Sequence, residues 1–251
     1  MDFWEADVAR SARLSPRWSY RARQALWAVI DFVLPPRCAG CRRAGQRFCP
    51  TCQSQLSLLA APVCAWCGYP VAARDAACVN CQGRSRSALA GIRSAAFFEG
   101  PLQNALHQLK YRRDVILADS LARLLTQTWA AAGQPGDLII PVPLSAQRLR
   151  ERGYNQAGLL ARGFAELSGL PAAPAALSKT RHTVSQVGLT AQQRLGNVQA
   201  AFMADPRLVV QRAVILVDDV CTTGATLIAG AEALMAAGAR SVWGLTLARA
   251  R

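Results

Sequence analysis

Apolar and polar positions change period several times along the chain, and these changes predict alternating strands and helices. The apolar runs that predict strands lie at residues 92–98, 138–140, 214–217 and 241–248. Helical spacing of apolar positions occurs at residues 101–111, 115–131, 155–170 and 225–237. The run 214–217 is continuous and largely β-branched, the pattern of a strand buried on both faces of a parallel sheet. We therefore expect an α/β fold with a parallel sheet flanked by helices.

Another helical pattern comes earlier and spans residues 16–34. Ser15 suits the N-cap of this helix, and Pro16 suits its first turn. Pro35-Pro36 then ends it, because proline cannot continue a helix. The apolar positions share one face and the arginines lie elsewhere. We favour packing of this face on the protein's own body; a membrane surface or a partner is the alternative for a basic amphipathic helix.

Cysteine dominates the segment between that helix and the first strand. Eight of the nine cysteines form Cys-x-x-Cys pairs, namely Cys38 and Cys41, Cys49 and Cys52, Cys64 and Cys67, and Cys78 and Cys81. Two such pairs complete a tetrahedral four-thiolate site, which predicts two structural Zn²⁺ ions with no coordination position open for catalysis. Sequential use of the pairs is the simplest arrangement, and an interleaved cross-brace is the alternative.

The chain of 251 residues carries a formal net charge of +14. Such an excess suits a nucleic acid or another polyanion. Most of the basic residues are arginine and alanine is abundant, so a GC-rich coding bias explains the charge equally well. Arginine is dense around the cysteine pairs, where Trp66 and Tyr69 offer aromatic faces that suit single-stranded DNA. A zinc-stapled docking module is the equal alternative for that segment.

The expected location follows from what the sequence lacks. No apolar run reaches the ~18 residues that a membrane-spanning helix needs. Asp2, Glu5 and Asp7 precede the first basic residue, which is the reverse of a secretory signal. We expect a cytoplasmic protein, with any membrane association mediated by its partners.

The strand predicted at residues 214–217 leads directly into candidate chemistry. Asp218 and Asp219 place two carboxylates at its carboxyl end, where open parallel sheets bind ligands. The segment 222–226, Thr-Thr-Gly-Ala-Thr, then opens a helix. Its free backbone N–H groups, its hydroxyl groups and the helix dipole suit a phosphate. A phosphate site beside a carboxylate pair, which suits vicinal hydroxyls, predicts a ribose 5-phosphate.

This stretch resembles the phosphoribosyl-pyrophosphate (PRPP) motif of type I phosphoribosyltransferases, in which four apolar residues precede two acidic ones and a Thr-Thr-Gly-Ala-Thr loop. The resemblance implies that Asp218 and Asp219 bind the ribose hydroxyls. It assigns the 5-phosphate to Val220, Cys221, Thr222, Thr223, Gly224, Ala225 and Thr226. Cys221 is expected to be structural. The alternatives are a phospho-acceptor receiver domain, which lacks the threonine loop, and an ordinary strand–turn–helix whose aspartates cap the helix.

Two further polar segments carry the remaining candidate ligands. The turn after strand 138–140 lies where type I phosphoribosyltransferases place their pyrophosphate loop, and it supplies Val142, Pro143, Leu144, Arg148, Arg150 and Arg152. For the arginines, a solvated helix face is the alternative. The polar run that starts at residue 178 is long for a connection and predicts a hood over the site. Its candidate residues are Arg181, His182, Thr183, Gln186, Arg194 and Asn197.

Together these motifs resemble the ComF family of competence-associated proteins, over about residue 25 to the end. The resemblance rests on the cysteine double ribbon, Pro-Val-Pro-Leu before Arg-x-Arg-x-Arg-Gly-Tyr-Asn-Gln, Arg-x-Thr-x-x-Gln with a later Arg-x-x-Asn, and Asp-Asp-Val-x-Thr-Thr-Gly-Ala-Thr. It implies an N-terminal helix and tail at residues 1–36, a double zinc ribbon at 37–90 and a type I phosphoribosyltransferase-like domain at 91–251. It also implies PRPP with Mg²⁺ as ligands, and DNA uptake for natural transformation as the role. The implied partners are single-stranded DNA and a helicase-like competence ATPase.

Two functions of different classes are consistent with these residues. As a phosphoribosyltransferase, the protein would release pyrophosphate from PRPP, with Mg²⁺ and arginines stabilising the leaving group. As a binding protein, it would sense PRPP without turnover and act as a single-stranded-DNA-binding adaptor of the uptake machinery. No residue marks an acceptor pocket, so the sequence does not separate the two.

Overall fold

The structure is a computed structural model and describes residues 25, 27, 30–32, 35–73, 77–81, 88–112, 114–179 and 201–251. Of the predicted N-terminal helix, residues 25, 27 and 30–32 are described, and they are helical. The predicted hood residues Arg181, His182, Thr183, Gln186, Arg194 and Asn197 lie outside the described residues.

The predicted strands and helices occur in the predicted order, and the described part of the chain adds five short strands and helices that were not predicted. The strands are β1 (Gly91–Phe97), β2 (Leu138–Pro141), β3 (Leu177–Lys179), β4 (Phe202–Ala204), β5 (Ala213–Cys221) and β6 (Ser241–Arg249). The helices are α1 (Pro50–Ser54), α2 (Gly100–Tyr111), α3 (Leu117–Ala132), α4 (Ala146–Arg152), α5 (Gln156–Ser168), α6 (Pro206–Val209) and α7 (Ala225–Ala236). A 3₁₀ turn, Pro174–Ala176, precedes β3.

A four-stranded parallel sheet in the order β1-β6-β5-β2 forms the centre of the protein. Side chains of β5 alternate between its two faces. Ile215 and Val217 belong to the core that contains α3 and α5, whereas Val214 and Leu216 belong to the core that contains α7. Strands β3 and β4 pair antiparallel beside α7. The predicted fold class, a parallel sheet flanked by helices, is confirmed.

Strand β5 is longer than the four-residue apolar run that predicts it. It continues to Cys221 because β6 is apolar up to Ala248 and keeps pairing with it. The shorter strand β2 ends at Pro141, opposite Val217. Asp218 and Asp219 therefore lie within β5, beyond the end of β2. Here β5 has a neighbouring strand on the β6 side only, so the space on the β2 side is left for a ligand.

The cysteine-rich segment covers the other edge of the sheet, along β1. Leu59 donates its backbone N–H to the carbonyl of Ala95 at 3.0 Å, and Phe97 donates to the carbonyl of Ser57 at 2.9 Å. Side-chain amides of α2 reach the same segment: Gln108 donates to the carbonyl of Ala39 at 2.8 Å. The pairing satisfies the exposed hydrogen-bonding groups of an edge strand. The cysteine-rich segment is thus fixed directly to the sheet and to α2.

Candidate functional site

The eight predicted metal ligands form two clusters in sequential pairing, one of Cys38, Cys41, Cys49 and Cys52 and one of Cys64, Cys67, Cys78 and Cys81. Within each cluster all four sulfur atoms lie within 4.8 Å of one another. The Sγ atoms of Cys38 and Cys52 are 3.6 Å apart, and those of Cys67 and Cys78 are 3.5 Å apart. A tetrahedron with Zn–S bonds of ~2.3 Å has edges of ~3.8 Å. Both clusters therefore fit a structural zinc ion.

The first cysteine of each cluster has an environment suited to thiolate. Burial raises the pKa of Cys38, but the backbone N–H groups of Cys49, Cys41 and Gly40 more than offset burial and lower the pKa to about 6. Burial likewise raises the pKa of Cys64, and backbone N–H groups, first that of Cys67, lower it to about 7. Thiolate is the form that binds metal, so each turn favours the charge state that zinc needs.

A cavity of about 540 Å³ opens at the carboxyl ends of β2 and β5. It is lined by Lys110, Tyr111, Val142, Pro143, Leu144, Ser145, Arg148, Glu151, Arg152, Gln156, Lys179, Asp218, Asp219 and Thr226. The described part of the lining carries four cationic and three anionic side chains, so it suits a polyanion that also presents groups for carboxylates to bind.

The carboxylate floor of this cavity consists of Asp218 and Asp219. The Asp219 side chain is buried, makes a salt bridge with the ammonium group of Lys110 and lies 3.5 Å from the amide nitrogen of Gln156. Asp218 accepts a hydrogen bond of 2.8 Å from the backbone N–H of Asp219. Burial, followed by repulsion from Asp219, raises the pKa of Asp218 well above its usual range. The floor therefore holds two adjacent carboxylates, and Lys110 is the cation that makes a salt bridge with them in the described part of the chain.

The cationic wall consists of Arg148, Arg152 and Lys179. Helix α4 starts at Ser145, whose hydroxyl accepts the backbone N–H of Arg148, and it ends at Gly153 in a left-handed conformation with φ of 83°. Arg148 and Arg152 are four residues apart and line the cavity, whereas Arg150 is not among the described lining residues. Burial, followed by repulsion from Arg148, lowers the pKa of Lys179. Among the described residues, the wall thus brings three positive charges close together, with Glu151 on the same helix and Asp218 of the floor as the nearby anions.

The phosphate loop predicted at residues 222–226 lies at the side of this cavity, and Thr226 lines it. Gly224 takes a φ of 82° as the N-cap of α7, a left-handed conformation that favours glycine. Thr222 and Thr223 are exposed. Helix α7 thus begins at the cavity with its positive end, as an anion site requires.

Comparison with known proteins decides the family. The chain is 32% identical over 225 residues to competence protein F of Haemophilus influenzae. The alignment covers 84% of this chain and 97% of that protein. The chain belongs to the ComF family. Other ComF-like relatives are the DNA utilization protein YhgH of Salmonella typhimurium, 34% identical over 72% of this chain and 81% of that protein, and competence protein ComFC of Bacillus subtilis, 28% identical over 81% and 85%.

Two further comparisons concern parts of the ComF chain. The double zinc ribbon domain family matches residues 29–82, which contain both cysteine clusters. Among solved structures, glutamine PRPP amidotransferase from Bacillus subtilis aligns with a TM-score of 0.38 and 24% identity. The alignment covers 51% of this chain, which spans 25% of that protein. No helix in the described part of the chain is long and apolar enough to cross a bilayer.

The described lining of the cavity in this ComF chain contains six residues that were not predicted as site residues, namely Lys110, Tyr111, Ser145, Glu151, Gln156 and Lys179. Lys110 and Tyr111 end helix α2, which follows β1 at the edge of the sheet opposite to β2. Both residues nevertheless line the cavity. Gln156 starts α5 shortly after the arginine helix α4 ends, and Lys179 ends β3 within the polar run from residue 178 that was predicted as a hood. The sequence could have indicated Gln156 and Lys179 as site residues, because both lie beside predicted ligands. It could not have indicated Lys110, since only the tertiary fold brings α2 to Asp219.

Proposed function

We propose that this ComF-family chain binds PRPP in the cavity at the carboxyl ends of β2 and β5 and transfers its phosphoribosyl group in the handling of incoming DNA. The observation that carries the proposal is the juxtaposition in one cavity of the carboxylate floor, the cationic wall and the start of α7. PRPP has the matching parts: two ribose hydroxyls, a pyrophosphate and a 5-phosphate.

The two ends of the ligand are assigned by charge. Carboxylates accept strong hydrogen bonds from hydroxyl groups, so Asp218 and Asp219 bind the ribose diol. Backbone N–H groups at the start of α7 bind the 5-phosphate beside Thr226. The cationic wall lines the same cavity and binds pyrophosphate. An anion there would also relieve the repulsion between Lys179 and Arg148.

The transfer step is the replacement of pyrophosphate at C1 of the ribose by a nucleophile. The C1–O bond breaks, pyrophosphate leaves with the electron pair, and the acceptor loses its proton as the new bond to C1 forms. Arg148 and Arg152 stabilise the charge that accumulates on the leaving group. Mg²⁺, for which the carboxylate oxygens of the floor are suitable ligands, supplies further charge neutralisation when bound.

The relatives support the setting of this chemistry. One is named a competence protein and another a DNA utilization protein. The net charge of +14 and the exposed side chains of Arg37, Arg42 and Arg43 in the cysteine-rich segment suit single-stranded DNA. We accordingly include single-stranded DNA as a partner and as a candidate acceptor.

The test measures binding and turnover separately. Isothermal titration of the full chain with PRPP and Mg²⁺ is expected to show one site, with weaker binding of ribose 5-phosphate because it lacks the pyrophosphate. Release of pyrophosphate from PRPP is then followed alone, with single-stranded DNA and with free nucleobases, and an acceptor is expected to accelerate it. Absence of PRPP binding would overturn the proposal. Binding without release in any mixture would leave the adaptor function in place of the transferase.

A further inference from the structure

Arg249, near the carboxyl end of β6, connects two sites that lie far apart in sequence. It is 4% exposed. One guanidinium nitrogen, Nη1, donates to the carbonyl oxygen of Cys67 at 2.9 Å and to Cys221 Sγ at 3.4 Å. Cys67 is a ligand of the second cysteine cluster (Cys64, Cys67, Cys78 and Cys81), and Cys221 directly precedes the phosphate loop. A single nitrogen with two hydrogen atoms thus bonds to both sites.

The position of Arg249 in the sheet is fixed from both sides. Its Cα is the register partner of Cys221 on β5, and the backbone N–H of Ala250 donates to the carbonyl of Cys221 at 2.9 Å. The guanidinium carbon lies 5.7 Å from the centre of the Tyr69 ring. A buried cation is costly unless it is paired. Four thiolates around one zinc ion carry a net negative charge, so the second cluster offers Arg249 a matching partner.

The turn that presents Cys67 to Arg249 is held against β1. Ile92 donates its backbone N–H to the carbonyl of Trp66 at 2.6 Å. A Cβ atom on Gly68 would come within 2.4 Å of the carbonyl oxygen of Ile92, so the backbone approach requires glycine. The position of the Cys67 carbonyl therefore depends on the shape of this turn. A zinc ion in the second cluster would hold that shape, because Cys64 and Cys67 would both bind it.

On the opposite side, Cys221 ends β5 and directly precedes the predicted phosphate loop, and its thiol lies 4.0 Å from the carbonyl oxygen of Thr222. Gly224 starts α7 with a φ of 82°, and there is little space beside it, since an added Cβ atom would lie 3.2 Å from the Ile92 side chain. Hydrogen bonds therefore run from the metal turn through Arg249 to Cys221, and the chain continues directly from Cys221 into the loop that presents the predicted phosphate-binding N–H groups.

We propose that Arg249 is a positioning residue that makes the geometry of the phosphate loop depend on zinc in the second cysteine cluster. The zinc site is then part of the ligand site and not only a support for the cysteine-rich segment. Coupling between two sites is reciprocal, so a ligand on the loop also stabilises zinc in that cluster. The ligand arm of this inference rests on the proposed PRPP function, whereas the loop arm does not.

Hydrogen exchange on the full, zinc-loaded chain tests the loop arm, with peptides covering residues 222–228 compared with peptides from β2. Arg249→Met removes the donors at similar volume and is expected to accelerate exchange of the loop about fivefold or more, the low end of usual coupling. Removing zinc from the wild-type chain is expected to accelerate hydrogen exchange of the loop by a similar factor. Removing zinc from Arg249→Met is expected to cause no further acceleration. Arg251→Met is the matched control, since Arg251 lies two residues further on and pairs at the surface with Glu99.

A second variant covers the case in which Arg249→Met does not fold. Cys221→Ala removes the sulfur acceptor and keeps the Arg249–Cys67 bond, so it is expected to accelerate loop exchange while both zinc ions are retained. In the ligand arm, PRPP with Mg²⁺ slows zinc release to a chelator in the wild type and not in Arg249→Met. Absence of PRPP binding would overturn the proposed function. The loop arm would still show whether the second zinc site and the phosphate loop are coupled. The coupling would be overturned if loop exchange were unchanged in both Arg249→Met and Cys221→Ala. It would also be overturned if zinc removal accelerated loop exchange equally in every variant.

Discussion

The carboxylate floor and the cationic wall face the same cavity but are built in different ways. The floor belongs to β5, at the centre of the sheet, and Asp219 is 4% exposed and paired with Lys110. Most of the wall belongs to α4, a seven-residue helix without a buried side chain. The floor is therefore fixed by the fold before any ligand arrives. Arg148 is exposed and must lose side-chain entropy when it binds one, whereas Arg152 already donates to Gln156.

Both regions hold like charges close together, but the consequence differs. Burial and repulsion from Asp219 raise the pKa of Asp218, and burial and repulsion from Arg148 lower the pKa of Lys179. The floor is enclosed, so its repulsion acts through a medium that screens poorly. Arg148 is exposed to solvent, so salt screens much of its field. We expect the floor to determine which ligand binds, and the wall to determine how strongly affinity depends on salt.

The largest expected effect comes from neutralising the floor. Replacing both aspartates, as Asp218→Asn with Asp219→Asn, should weaken PRPP binding by at least about 100-fold, because each carboxylate contributes roughly 1.5–3 kcal/mol through charged hydrogen bonds. Isothermal titration in the presence of Mg²⁺ measures the change, and a thermal melt shows whether the variant is folded.

The control for this experiment makes the same change of net charge away from the cavity. Asp137 lies at the start of β2 and pairs with Arg212 and Arg240, and Asp205 caps α6. The double variant Asp137→Asn with Asp205→Asn should bind PRPP as the wild type does. Equal affinity of the folded floor variant and the wild type would remove the ribose assignment.

A smaller effect is expected from the wall, and it should depend on salt. Arg148→Met or Arg152→Met should each weaken PRPP binding about tenfold at low ionic strength, with a smaller loss at high salt. Arg150→Met is the matched control on the same helix and should change affinity less than about twofold. Titrations at two salt concentrations give the comparison. If Arg150→Met costs as much as the other two, the arginines act through net charge alone and the wall is not a binding surface.

The arginine helix illustrates how far the sequence could predict the site. The spacing Arg-x-Arg-x-Arg identified the segment, and residues four apart share a helix face, as Arg148 and Arg152 do at the cavity. Periodicity alone gives no reason to choose that face over the one carrying Arg150. The choice depends on how α4 is placed relative to the sheet, which is a tertiary feature. One contact near α4 is that of Asn155, which caps α5 and donates its side-chain amide to the carbonyl of Val142 at 3.0 Å.

The four strands of the parallel sheet and the cysteine clusters were predictable for a different reason. A buried parallel strand needs a continuous apolar run, and a four-cysteine zinc site needs closely spaced pairs, so both have local signatures. Lys110 has no such signature, because it meets Asp219 only through the packing of α2 against the sheet. Arg249 likewise looks like the end of an apolar strand in sequence. Its contacts with Cys67 and Cys221 span 182 and 28 residues.

The smallest predicted effect concerns stability and separates the two floor residues. The pKa of Asp218 is higher in the folded chain than its ordinary value of 3.8, so the folded chain binds more protons than the unfolded chain between these two values. Stability contributed by the neutral side chain is therefore lost as pH rises through this window. At neutral pH, Asp218→Asn should raise the melting temperature by about 2 °C, in line with relief of roughly 1 kcal/mol at a strained functional site.

The gain from Asp218→Asn should shrink as pH falls toward 3.8, because the wild-type side chain then becomes neutral as well. Asp219→Asn should show the opposite sign at neutral pH, since it leaves the partly buried ammonium group of Lys110 without its carboxylate. Thermal melts of both variants and the wild type between pH 3.8 and neutral pH test these two expectations. A gain for Asp218→Asn that is independent of pH would show that packing, and not the buried charge, stabilises the variant. Equal gains for both variants would show that Lys110 does not hold Asp219 in the free protein.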